Sequence, residues 1–462
     1  MKARANALTR RRLFIGAGGM ASVLALAACG AVPATTTAPA AEAETETKAE
    51  EKPAMMETPV INIDEYFTES DGRHAPYLAT LDLAEEALNV KFNVIPGEYS
   101  GIWDRRKTAF AAGEADVDIS MNQVNWVFFG GFNGMFVDHI PLMQRDNVDI
   151  ARYYPADIKA WSWAGKLYAI PTQSGGELVL FNKQYFDEAG LNYPGGDWTY
   201  DDMIDMCQKV HKPDDNRWAV RVGQNSLFYM ASTFMLNFGG EELTEDGNRV
   251  LYGEDPKSHA GAQFNVDLHL KHQFTPPSEV VRELLAGRSG IGILELGHIA
   301  MEFNGVFRYN ASQQHLGEKL SVTRPPRGER GTATVVGNAH SIMGLSNVQD
   351  SVWDLLKWLG SDEGATGSEY FGWTSWPSII EHASHPGWAS RFEGTNVDDA
   401  IQAWAEEGHN FLRLPEFNEA WGPLQQPWYS ALRGEITVPE GLRESAQILQ
   451  EIIDRRPDEH RE

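Results

Sequence analysis

The sequence predicts an α/β protein built as two lobes, and three observations carry that expectation. At 462 residues the chain is too long to surround a single core, and chains of this size divide. From Val60 onward, short β-branched runs alternate with helical patterns. That βαβα order implies a mainly parallel sheet with ligands at the carboxyl ends of its strands. Finally, two strand-like stretches, 167–170 and 178–181, flank Pro171 and the polar run Thr172-Gln173-Ser174-Gly175-Gly176. A passage from one lobe to the other would look like this, with the glycines giving the backbone freedom to bend.

The elements come in order along the chain. Val60-Ile61-Asn62-Ile63 reads as a first strand, and Leu81, Ala84 and Leu88 mark one face of a helix. Residues 90–95 form a second strand, a helix carrying Trp103 and Phe110 runs to Gly113, and 116–120 form a third strand. Tyr185 to Ala189 reads as a short helix stopped by Gly190. Thr199-Tyr200-Asp201-Asp202 has the pattern of a capped helix start, with Met203, Cys207 and Val210 on one buried face. Val352, Leu355, Leu356 and Leu359 line another helix, ended by Gly360. Thr437-Val438-Pro439-Glu440 opens a last one, whose buried stripe is Leu442, Ala446, Leu449 and Ile453.

Residues 1–28 read as an address rather than as fold. A basic head with Arg10, Arg11 and Arg12, a short apolar core and small residues before a break make a secretory leader. The paired arginines resemble a twin-arginine export signal. Leu26-Ala27-Ala28-Cys29 resembles a bacterial lipoprotein box, which implies cleavage before Cys29 and a lipid on its sulfur. Residues 29–59, rich in Ala, Thr, Pro and Glu, cannot bury enough to order themselves and read as a tether.

The formal charge is −26, and removing the basic leader makes the remainder more acidic still. Such a surface repels nucleic acid and anionic membranes. Only two cysteines occur. With Cys29 in the leader, Cys207 stands alone, so neither a disulfide framework nor a multi-cysteine metal site is available. No Gly-x-Ser-x-Gly elbow and no phosphate-cradling Gly-x-x-x-x-Gly-Lys-Ser/Thr loop occurs. His269 and His272 with Asp267 could hold a metal on one helical face, but no third ligand stands out, and a solvated helix is the simpler reading. Neither a cofactor nor a metal is expected.

The aromatic residues say more. Fourteen Trp and fourteen Tyr are present, and several Trp sit beside Gly, Asn, Ser or Pro: Asn125-Trp126, Trp161-Ser162-Trp163, Trp373 to Pro377, and Pro427-Trp428. Large aromatics also pack wherever lobes meet. Flat apolar faces flanked by amides nevertheless suit sugar rings, which carry a C–H face and a hydroxyl rim.

Taken together, these stretches resemble the extracellular solute-binding proteins of ABC importers, in the cluster of maltose-binding-protein-like sugar binders. Gly165 to Pro171, Leu178 to Lys183, Phe186, Ala189-Gly190-Leu191 and Trp198 to Asp202 match that family's most recognisable block in order and spacing. Phe110 to Val117, Gly297 to Gly305, and Arg433-Gly434-Glu435 before the final helix extend the likeness over nearly the whole mature chain.

The resemblance implies a type II periplasmic-binding-protein-like fold, with three interlobe crossings and a cleft that closes on ligand. One lobe would hold 60–172 and about 323–372, the other 173–322 and about 373–462. Site residues carried over by position are Asn122, Asn125 and Trp126 after the third strand, and Gln173 and Ser174 at the first crossing. Phe307 (or Tyr309 if the register slips), Asn338, His340, and Trp373 with Trp376 near the third crossing complete the set. Several charged positions that contact maltose in the best-known relative have no charged counterpart, so maltodextrin is not implied. The resemblance implies a lipid-anchored monomer outside the membrane that hands a sugar to ABC permease subunits, with no catalysis. The alternatives are a non-sugar solute (a polyamine, a peptide, or a glycerol phosphate met by Arg324 and Arg327), a secreted glycosidase, and a sensory rather than an import partner.

Overall fold

A computed structural model of the chain describes residues 58–66, 68–69, 73–223, 225–288, 290–366, 376–410 and 412–456. The leader, Cys29, the tether and Trp373 lie outside the described residues.

Twelve strands are described: β1 (Val60–Glu65), β2 (Lys91–Pro96), β3 (Ile119–Gln123), β4 (Ser162–Trp163), β5 (Lys166–Leu167), β6 (Ile170–Ser174), β7 (Glu177–Asn182), β8 (Trp218–Val222), β9 (Ile299–Gly305), β10 (Leu320–Thr323), β11 (Asn338–Ile342) and β12 (Trp376–Pro377). They make a six-stranded sheet in the order β12-β6-β11-β3-β1-β2, a four-stranded sheet β10-β7-β9-β8, and the small hairpin β4-β5. Ala164 and Gly165 turn that hairpin, both with positive φ.

Neither sheet is mainly parallel, contrary to the expectation. β1 pairs in parallel with β2 and β3, and β8 with β9, but β6, β7, β10, β11 and β12 all pair antiparallel. The reason is the passage at Gly175-Gly176. β6 ends in one sheet and β7 begins in the other after only two intervening residues, so the returning segments must run against them.

Local sequence explains the helices. Thr199 and Asp202 close a capping box on the helix Tyr200–Val210, and Thr437 and Glu440 do the same on Val438–Ile453. Gly190, at φ 64°, ends Lys183–Ala189 in the left-handed conformation that glycine adopts most freely. On Val438–Ile453, Ser445 is buried alongside Leu442, Leu449 and Ile453, while Ala446 is half-buried. The third strand lies three residues later than expected. Asp118 first accepts hydrogen bonds from Asn62 N at 2.8 Å and Ser346 Oγ at 2.6 Å, and the strand runs from Ile119.

Pro427-Trp428, expected in a loop, lies inside the helix Phe417–Leu432 together with Pro423. Each proline removes a helical hydrogen bond. Four residues apart they fall on one face, and burial of Ala420, Leu424, Trp428 and Ala431 holds the helix together.

One apolar cluster backs the six-stranded sheet and runs on to Leu178, Leu180, Ile299 and Val322 of the four-stranded sheet. A second packs on the four-stranded sheet with Tyr200–Val210, and a third joins Phe417–Leu432 and Val438–Ile453 to Met230–Asn237 and Pro256–Leu270. Trp161, Trp353, Trp404 and Trp428 are completely enclosed, each burial stabilising by about 5 kcal/mol on area alone. Cys207 is buried in the cluster behind the four-stranded sheet, and burial pushes its thiol far above the usual range.

Three segments are laced together where the chain passes between sheets. Val336 N donates to Gly175 O at 2.8 Å, and Glu177 N to Thr334 O at 2.7 Å. Val335 N donates to His409 O at 2.8 Å, and His409 N to Ala333 O at 3.1 Å. Gly175 and Gly176 do not have positive φ. Their role is space: a Cβ on Gly175 would strike Val306, and one on Gly176 would overlap Trp404 and come within 2.9 Å of Thr334 O.

Candidate functional site

The parallel pairs β1/β3 and β8/β9 bring four strand ends together, and a cavity of about 550 Å³ lies among the residues just beyond them. Tyr66 comes directly after β1. Val124, Asn125 and Trp126 come directly after β3. Ser226 and Tyr229 lie beyond β8, and Phe307 beyond β9. Asn338 opens β11 opposite Gln123. The first turns of Phe417–Leu432 add Phe417, Asn418 and Trp421, and the helix Tyr99–Ala111 adds Trp103.

The wall is aromatic, with amides between the rings. Trp126 stacks on Trp103 with centroids 5.7 Å apart and planes 7° from parallel, and Tyr66 meets Trp126 edge-on at 5.8 Å. Behind this stack lies Arg106, wholly buried. Its guanidinium is 5.3 Å from the Trp126 ring centre, donates twice to Asp64 at 2.6 Å, and also reaches Asn122 Oδ1 and Met121 O. A buried charge needs such complete pairing, and the result is a fixed backing for the platform. Across the cavity, Asn418 Nδ2 donates to Asn125 O at 2.9 Å, tying Phe417–Leu432 to the segment after β3. Arg73 is the only charged side chain among the described lining residues, and no carboxylate is among them. Among the described lining residues there is thus no pair of acids of the kind that flanks a glycosidic bond.

Of the residues singled out from the sequence, Asn125, Trp126, Phe307 and Asn338 line this cavity. Phe307 is 39% exposed and offers a free ring face. Gln173 acts at one remove: it accepts a 2.6 Å hydrogen bond from Asn338 Nδ2, while Tyr66 OH donates to Asn338 Oδ1.

The others do not line the cavity. Asn122 is buried between Arg106 and Ser341 Oγ, serving the charge behind the platform. Ser174 faces the buried Asp157, whose carboxyl burial pushes up to about 7. His340 shares a strand face with Asn338 but sits two residues, about 7 Å, further along β11. There it contacts Thr172 Oγ1 at 2.8 Å and stacks on Tyr77. Burial and the nearby Arg106 lower its pKa to about 3. Trp376 is buried, donates from Nε1 to Tyr154 OH at 3.0 Å, and pairs with Ser174 in the six-stranded sheet. Tyr309, the alternative to Phe307, is buried with its hydroxyl donating to Arg391 O.

The sequence reading missed Trp103, Tyr66, Tyr229, Phe417 and Trp421, because it looked for loop aromatics and two of these residues are Trp on helices. Arg324 and Arg327 do not reach the cavity. Arg324 donates to Gly331 O, and both lie 3.5–3.7 Å from Glu407. His269 is half-buried rather than solvated, 3.3 Å from Asn225 Nδ2, and burial lowers its pKa to about 4.

Residues 80–391 match the family described as bacterial extracellular solute-binding protein. Among characterised relatives, the arabinooligosaccharide-binding protein of Bacillus subtilis (strain 168) is 28% identical over 125 residues, which is 27% of this chain and 28% of the relative. Solved structures share the fold much more widely. A Thermotoga lettingae ABC transporter solute-binding protein bound with α-D-tagatose is 19% identical with TM-score 0.68, covering 86% of this chain and all of that one. A Listeria monocytogenes ABC substrate-binding protein in complex with cycloalternan gives 15%, TM-score 0.70 and coverages of 86% and 100%. An Agrobacterium radiobacter solute-binding protein in complex with ribitol gives 18%, TM-score 0.68 and coverages of 85% and 98%. Among the described residues no helix is long and apolar enough to cross a membrane. With the family match spanning most of the chain, and two α/β lobes shared with these structures, the chain belongs to the bacterial extracellular solute-binding proteins.

Proposed function

We propose that this protein captures a carbohydrate in the aromatic cavity and delivers it to an ABC permease, without altering it. The observation that carries this reading is the wall itself. Trp126 with its Trp103 backing, Tyr229, Phe307 and Trp421 make the wall aromatic, Phe307 being the most exposed of them, while Asn125, Asn338, Asn418 and Gln123 bring amides, with a single charged neighbour among the described residues. Apolar C–H faces and neutral hydroxyls match such a surface better than phosphates or ammonium groups do. Relatives named for or crystallised with an oligosaccharide, a ketose and a polyol support the same ligand class.

Capture works by population shift: a solute touching residues after β3 and after β9 at once favours the closed arrangement. The segments 175–177, 333–336 and 405–410 serve as the three crossings, and Cys29 carries the lipid that keeps the monomer at the outer membrane face. Calorimetric titration with mono-, di- and oligosaccharides and polyols should give saturable heat for at least one. A panel without any such heat would refute the carbohydrate reading. A peptide or polyamine that bound instead would keep the capture mechanism and replace the ligand.

A further inference from the structure

A second cavity of about 520 Å³ lies beside the crossing segments, and its chemistry is the opposite of the first. Thr332 lines it, whereas Val336, Gly337 and Asn338 line the aromatic cavity. The fully buried Ala333, Thr334 and Val335 separate the two.

Its wall is densely charged, and most charges there are already satisfied, the exposed Glu245 being an exception with no ion pair among the described residues. Glu241 is paired with Arg330, Glu407 lies near Arg324 and Arg327, and Asp246 accepts from Thr244 Oγ1 and Asn248 N. Two cations are not so matched. Lys159 has no ion pair among the described residues. Arg413 spends one amino group on Ser162 O at 2.6 Å and lies 5.9 Å from the Phe128 ring centre, but leaves its buried Nε without a hydrogen-bond partner and has no carboxylate paired with it among the described residues. Two unmatched cations facing one cavity stand out in a chain of net charge −26.

Two more groups await a partner. Asn410 lines the cavity at 7% exposure with Oδ1 unbonded, and Glu242 has a buried, unbonded Oε1. Burial, with the neighbouring Glu241 adding to it, raises the Glu242 pKa to about 8. That shift favours the protonated carboxyl, which can donate a hydrogen bond. Buried polar groups left unbonded are costly, so these atoms mark where a ligand supplying an acceptor and hydroxyls would gain most.

We propose that this second cavity is a binding site for a small hydroxylated carboxylate of the sugar-acid class. Its carboxylate is held by Lys159 and Arg413, its hydroxyls by Asn410 and Glu242, and its carbon chain lies against Trp163. The site does not depend on what the aromatic cavity binds. Because its wall includes Thr332 and His409, which belong to the laced crossing segments, occupancy also acts on the segments that must bend.

The test is calorimetric titration of the whole mature protein with D-gluconate, with sorbitol as the neutral match. Gluconate should bind saturably and sorbitol should not bind at this site. Lys159→Met, a change at an exposed side chain, should weaken gluconate about tenfold and leave sugar affinity unchanged, while Trp421→Ala should leave gluconate binding intact. No saturable heat from gluconate, or heat that Lys159→Met does not alter, would overturn the proposal. Loss of gluconate binding in Trp421→Ala would place the carboxylate in the aromatic cavity and overturn it equally.

Discussion

Two cavities of nearly equal volume, about 550 and 520 Å³, share one partition and almost no chemistry. Among the described residues the first has a single charged lining residue, Arg73. The second has Lys159, Arg330 and Arg413 among five acidic residues. The first is built from segments just beyond parallel strand ends, the second from the backs of turns and crossing segments. An aromatic wall discriminates by ring shape and surrenders little on desolvation. A charged one depends on every charge finding a partner. One scaffold can therefore present two unrelated recognition surfaces on either side of the buried segment 333–335.

The largest expected effect is on that partition. Gly176→Val would drive its side chain into Trp404 and toward Thr334 O, and should cost about 3 kcal/mol in a denaturant melt. Gly175→Val meets only the Val306 side chain and no backbone atom, and should cost less. Equal losses would show that flexibility rather than space governs both positions.

Next comes the aromatic wall. Trp421→Ala should weaken the best sugar about thirtyfold, the scale of a truncated central aromatic, and unchanged sugar affinity would remove Trp421 from the site. Stability should also depend on pH through two sets of groups that act in opposite senses. Burial pushes Glu177 up to about 8. The folded state thus holds a proton that the unfolded state has lost, and stability declines as pH rises from about 4.5 toward 8. Glu177→Gln should flatten that decline. Burial holds His139, His269, His340 and His409 down at about 3 to 4, so stability falls as pH drops below about 6.5, where the unfolded chain takes up protons first. The smallest effect belongs to Asn418→Ala, which removes one bridging hydrogen bond and should change sugar affinity about two- to fivefold.

Much of the scaffold was legible because its signals are local. The Thr199 and Thr437 caps, Gly190, and the buried stripe of Met203, Cys207 and Val210 each depend on residues a few positions apart. The passage at Gly175-Gly176 was legible as well, although nothing near it in the sequence says that Val306 and Trp404 leave no room there for a side chain. The hidden features depend on long-range placement. Nothing near Trp103 or Trp421 says which face of its helix meets a cavity. Nothing near Asn122 or His340 says that Arg106 and Tyr77 will claim them. The whole second cavity is of this kind, since Lys159 and Arg413 are 254 positions apart in the sequence.

The Trp103–Trp126 stack has a consequence outside binding. Two indoles this close and this nearly parallel share their electronic excitation, so the pair should give a circular-dichroism signature distinct from that of isolated tryptophans. A solute settling against Trp126 would disturb that shared excitation directly, and the protein would report its own occupancy optically, with no attached dye.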